Sequence, residues 1–181
     1  MSTIETMTSA PAGTWQLDPV HSTVGFEVDY LAGTFRGQFR EVEATLDADG
    51  DTARLEGAAK VESVDVKDEN LAAHLQSPDF FDSERHPELR FSADDVSLDG
   101  ETVTIEGELT MKGVTERVAI AGTAAAPITD GYGKERLGLR VSTTVDRTRF
   151  GLNWNMPLPT GQPALSNDVT IIGDLQFVKG D

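Results

Sequence analysis

The chain has 181 residues, room for one domain of ordinary size, and sets 15 Lys and Arg against 31 Asp and Glu for a formal net charge of -16. With 38% hydrophobic and 25% charged residues the composition is that of a globular protein, not a disordered chain. The negative charge opposes nucleic-acid backbones and anionic membrane surfaces, and the absence of cysteine excludes disulfides, thiolate metal sites and cysteine nucleophiles.

Residues 1–13 carry neither a basic leader nor an apolar run, and read as a flexible lead-in rich in Ser, Thr and Ala. No apolar stretch approaches the roughly 20 residues of a spanning helix. The expectation is a cytoplasmic protein with one domain over residues 14–181 and no stable membrane insertion.

From there the chain alternates. Val20, Ser22, Val24, Phe26, Val28 and Tyr30 share one parity, against His21, Thr23, Glu27 and Asp29 on the other. The same period of two predicts eight strands at 20–30, 36–48, 53–64, 88–98, 101–111, 115–127, 135–146 and 168–178. In the fourth the parity slips between Ala93 and Val96, which predicts a bulge. Ile172 breaks the parity of the last strand. Short Gly-containing connections at Asp49-Gly50, Asp99-Gly100 and Lys112-Gly113 predict sequential hairpins, hence an antiparallel meander. One segment departs from this rhythm. Residues 68–76 hold helix formers with acidic residues in the first turn, Leu71 and Leu75 four apart, and Pro78 as a stop.

Eight half-apolar strands hide every apolar face by closing into a barrel, with a two-sheet sandwich as the alternative. The polar faces carry too many charges to fill a lumen, so the apolar faces point inward. A barrel of this size is either filled by side chains or holds one small ligand. Ser22, Ala44, Gly57, Ala59, Gly107 and Gly173 are small inward positions that leave volume unless larger neighbours fill it. The candidate lining is Phe26, Val28 and Tyr30, then Phe91, Leu109 and Met111, then Leu139, Val141 and Phe177. Leu71, Leu75, Phe80 and Phe81 are placed to cap one mouth. Phe150 and Trp154 lie in the long Pro- and Gly-containing connection to the last strand, as mouth or dimer contact. His21, His74 and His86 show no metal-ligand spacing and read as local hydrogen-bonders or turn shapers. Arg147 and Arg149 either meet an anionic head group or, as the favoured reading, are solvated loop charges.

The ordered motifs Trp15-to-Phe26, Ser63-Val-Asp65, His74-Leu75, Ser77-Pro-Asp-Phe-Phe-Asp82, His86-Pro87, Gly107-to-Thr115 and Arg147-Thr-Arg-Phe-Gly-Leu-Asn-Trp154 resemble the YceI-like family of lipid-binding barrels over roughly residues 14–178. The resemblance implies an all-β, eight-stranded antiparallel lipocalin-like β-barrel with one short helix near an opening. It also implies a long cavity for an amphiphile with an isoprenoid or other long-chain tail, such as a polyprenyl compound, a quinone or a fatty acyl derivative. It brings no catalytic residues. Where the family tends to Arg-x-Asp-Phe-Gly, this chain has Arg147-Thr-Arg149-Phe-Gly, a cation in place of a carboxylate. The expected function is sequestration or transport of such a ligand, with no cofactor, no metal and no nucleic acid. A closing strand or loop contact offers a route to a homodimer. The alternatives are an enzyme acting on a lipid-like substrate in the same cavity, and a filled barrel serving as a stress-related interaction module.

Overall fold

The computed structural model describes residues 10–50 and 52–180. Eleven strands form one continuous antiparallel sheet: β1 (Gly13–Leu17), β2 (Thr23–Tyr30), β3 (Gly33–Phe39), β4 (Val42–Ala48), β5 (Ala53–Lys60), β6 (Val64–Asp65), β7 (Glu88–Asp99), β8 (Thr102–Met111), β9 (Val114–Thr129), β10 (Glu135–Asp146) and β11 (Leu165–Lys179). The single α-helix among the described residues, α1 (Glu69–Gln76), lies between β6 and β7.

The predicted first two strands are each broken in two. β1 and β2 run along the same edge of β11: Leu17 pairs with Phe177, and Thr23 through Tyr30 pair with Asp174 back to Leu165. β3 pairs with β2 and β4 with β1, so the first hairpin carries a matching break in each arm. Counting each broken strand once, the order closes into an eight-stranded barrel through the β1–β11 pairing. Closure removes the free edges an open sheet would expose.

The predicted start of the first strand at Val20 is corrected. Pro19 interrupts the ladder, Asp18 accepts hydrogen bonds from Val20 N and His21, and Val20 is 83% exposed. The strand signal of Trp15 and Leu17, buried on the opposite parity, belongs to the separate β1. Gly13 already begins that strand, Ala10 is buried, and the Trp15 indole donates to the Pro11 carbonyl. The end of the predicted lead-in is therefore packed against the barrel; its first nine residues lie outside the described residues. The predicted strand over 53–64 stops at Lys60 and passes into a 3-10 turn, Val61–Ser63. The bulge stands where the parity slips, between Ser92 and Asp95.

All long connections leave from one end. The α1 segment, the β8–β9 turn and residues 147–164 join strand ends on the same side as the β2–β3 turn. The β7–β8 and β9–β10 turns sit at the other. That far end is solid. Trp15, Leu46, Val103, Ile105, Leu137 and Phe177 are each at most 1% exposed and belong to one cluster. A second cluster, with Phe26, Phe39, Leu75, Phe80, Phe81 and Phe150, occupies the end that carries the helix.

Candidate functional site

A cavity of about 700 Å³, within the range of small-molecule pockets, opens within the second cluster and reaches down to Leu17, Leu55 and Ile105 of the first. Phe26 and Val28 line it from β2, with Tyr30 at the rim. Phe91, Leu109, Met111 and Val141 line it from β7, β8 and β10. Ala44, Gly57, Ala59 and Gly173 also face it, so these small residues do leave volume. Gly107 does not: a Cβ there would stand 2.4 Å from the Ser92 carbonyl and 2.7 Å from the Ala93 Cβ, so the bulged β7 fills that space. Ser22 is not in the lining either; its hydroxyl accepts from Gln176 N within the break between β1 and β2.

The mouth has a lid. Asp68 caps α1 by accepting from the backbone N–H of Asn70 and Leu71. Leu71, His74 and Leu75 face the cavity from the helix. Past the helix the chain folds back: Phe81 N donates to the Leu75 carbonyl and Ser83 N to that of Gln76. This drives Phe80 and Phe81 inward, and both are buried. The Phe81 ring meets Phe39 edge-on at 5.9 Å, and Phe39 lies 5.8 Å from Phe26, which ties the lid to the barrel wall.

A strap, residues 151–164, covers the other side of the mouth. Trp154 from the strap meets His74 edge-on at 5.0 Å and Phe80 at 5.4 Å, while His74 Nε2 pairs with Asp79 at 3.0 Å. Lys112, in the β8–β9 turn, donates to the carbonyls of Pro78 in the lid and Gly151 in the strap. The strap is fastened by Arg147. Its Nε donates to Ser166 O at 2.8 Å, and its Nη1 to Leu152 O at 2.7 Å and Trp154 O at 2.8 Å. The reading of Arg147 as a solvated charge is corrected: the residue is 4% exposed, lines the cavity, and burial pushes its guanidinium below the usual arginine range. Arg149, two residues further, is exposed.

Three of the predicted lining residues stand elsewhere. Leu139 and Phe177 are in the solid end, 3% and 0% exposed, because they lie further along the barrel axis than Val141 and Leu175, which do line the cavity. Phe150 is buried in the lid-end cluster without reaching the cavity. The sequence reading also missed Phe35 and Phe39. It ran one parity through residues 36–48, whereas the break between β3 and β4 at Arg40-Glu41 reverses the inward side. Val169, Ile171 and Leu175 of β11 carried the same signal as Phe177 and do line the cavity.

Away from the cavity, Arg136 links Asp18 and Asp130 at 2.8 and 2.7 Å and also donates to Gln176. The Arg136 hydrogen bond, helped by His21, holds the Asp18 carboxyl down at about 2. This cluster pins the break between β1 and β2 to the start of β10 and supplies no group to the cavity.

Comparison with known proteins agrees with this geometry. A UPF0312 protein of Staphylococcus epidermidis is 29% identical over 171 residues, covering 90% of this chain and 96% of the relative. Among solved structures, Burkholderia cenocepacia BcnA superposes with a TM-score of 0.75 at 20% identity, over 88% of this chain and 98% of the other. A polyisoprenoid binding domain from Saccharophagus degradans superposes with a TM-score of 0.70 at 12% identity, over 92% and 98%. The profile of the YceI-like domain matches residues 15–177, and the chain belongs to that family of barrels.

Proposed function

We propose that this protein binds one long-chain amphiphile, with the tail inside the barrel and the head under the lid and strap, and that it carries or stores the ligand rather than transforming it. The observation that carries this reading is the 700 Å³ cavity with aliphatic and aromatic walls, roofed by α1 and residues 151–164. Support for an isoprenoid tail comes from the family fold and from the Saccharophagus neighbour, which is described as binding polyisoprenoids.

The energetics of burial suffice. Each buried methylene contributes about 0.8 kcal/mol, so one isoprene unit contributes roughly 4 kcal/mol gross. Ordering and association take back several kcal/mol. Such walls discriminate weakly between tails differing by a methylene. An enzyme in the same cavity needs a positioned acid, base or nucleophile. Arg147 donates to backbone carbonyls and His74 is paired to Asp79 at the rim, an arrangement that favours a carrier.

The test is calorimetric titration with geraniol, farnesol and geranylgeraniol. Affinity is expected to tighten at least tenfold per added isoprene unit until the cavity is full. A flat series, or no binding of the longest alcohol, overturns the reading.

A further inference from the structure

Arg147 does more than fasten the strap. A guanidinium that is 4% exposed is expensive without a counter-charge, and among the described residues no carboxylate lies within 4.0 Å of it. The adjacent Asp146 acts on it only through space: its Oδ1 accepts from the N–H and hydroxyl of Thr148 and makes no hydrogen bond to the guanidinium. Arg147 has only carbonyl dipoles as partners, and these use its donors unevenly. Nε and Nη1 together make three bonds of 2.7 to 2.8 Å, whereas Nη2 makes one long contact of 3.4 Å, to Leu165 O. A guanidinium has five N–H groups, so one N–H of Nη2 has no protein acceptor. The same side chain is part of the cavity wall, at the end covered by Trp154 and Leu152.

We propose that the cavity is built for an amphiphile with an anionic oxygen head, a carboxylate or a phosphate, whose oxygen accepts from Arg147 Nη2 and places a negative charge in direct contact with the guanidinium. This deepens the carrier reading and rests on it. The acidic exterior does not oppose it at close range, because exposed charges are screened over about 8 Å at physiological ionic strength. Charge-assisted hydrogen bonds to guanidinium are stronger than neutral ones, so an acid binds more tightly than the alcohol with the same tail.

The experiment compares geranylgeranoic acid, geranylgeranyl monophosphate and geranylgeraniol by calorimetry on the full chain. At least one anion is expected to bind tenfold or more tightly than the alcohol, and which anion wins separates carboxylate from phosphate. Arg147→Gln is expected to erase the preference, Arg147→Lys to keep part of it, and Arg149→Gln to leave it intact. If the Arg147 variants do not fold, Arg90→Gln decides, since Arg90 is the other arginine that lines the cavity: its loss must leave the preference in place. Equal binding of all three ligands, or a preference erased by Arg90→Gln or Arg149→Gln, overturns the assignment while the carrier reading stands. Failure of all three to bind removes the carrier reading itself.

Discussion

The two ends of the barrel are made from the same strands with the same alternation, yet one is solid and the other hollow. At the solid end, Trp15, Leu46, Val103, Leu137 and Phe177 share one cluster, are each at most 1% exposed and do not line the cavity. At the hollow end the inward positions include Ala44, Gly57, Ala59 and Gly173, and the bulk has moved from the walls into the roof, as Leu75, Phe80, Phe81 and Trp154. The connections differ in step. Short turns close the solid end, while a helix and a long strap are spent on the hollow one. Stability and binding are thereby separated along the axis: one end holds the barrel together and the other holds a ligand.

Substitutions test that separation. The largest effect is expected from Phe177→Ala or Trp15→Ala, each removing an almost fully buried ring from the solid end. Such changes cost about 3–5 kcal/mol. Chemical denaturation should show that loss, while calorimetry on the folded fraction gives ligand affinity within a few fold of the parent. An equal loss of affinity would mean that the two ends are coupled.

The break between β1 and β2 responds to acid. The Asp18 carboxyl is held at about 2 by Arg136, below its ordinary value near 4. A depressed folded value means stability that is present above pH 4 and lost as pH falls from about 4 to about 2. The contribution is on the order of 1 to 2 kcal/mol. Arg136→Met should lower stability at pH 7 and shrink the loss across that acid window, as read from denaturation midpoints at pH 7, 4 and 2.5. An unchanged acid profile would remove Asp18 from the account of that break.

At the hollow end, Gly173→Leu projects into the cavity, where a Cβ would lie 3.3 Å from Val141 Cγ2. It is expected to weaken geranylgeraniol binding tenfold or more and geraniol binding less, with a small change in melting temperature. Equal weakening of both would show that chain length is not read at this depth. The smallest effect is expected in the lid. Asp68→Ala removes the cap of α1, costing about 1 kcal/mol locally, and should speed ligand release in stopped-flow displacement more than it lowers the melting temperature.

Much of this was legible in the sequence. Alternation revealed the barrel strands, the parity slip at Ala93 revealed the bulge, and the helix at residues 68–76 was visible from its acidic start and its proline stop. Two physical facts were not encoded in alternation. A strand broken by a turn, as at Asp18–Ser22 or Arg40-Glu41, restarts with its inward side reversed, which hid Phe35 and Phe39. Parity also says which face is inside but not how far along the axis a residue lies, so Leu139 and Phe177 looked the same as Val141 and Leu175. The burial of Arg147 depends on carbonyls brought from the strap, residues 152 and 154, and from the start of β11, residues 165 and 166. No local pattern around Arg147 announces that meeting.

The most direct test of the carrier account is native mass spectrometry of the full chain purified without detergent, stripped by solvent extraction, refolded and incubated with geranylgeraniol. The account predicts one added ligand mass per chain, lost on collisional activation without unfolding of the solid end. A bare chain mass at every ligand concentration, from a protein with an intact β-sheet spectrum, would contradict it.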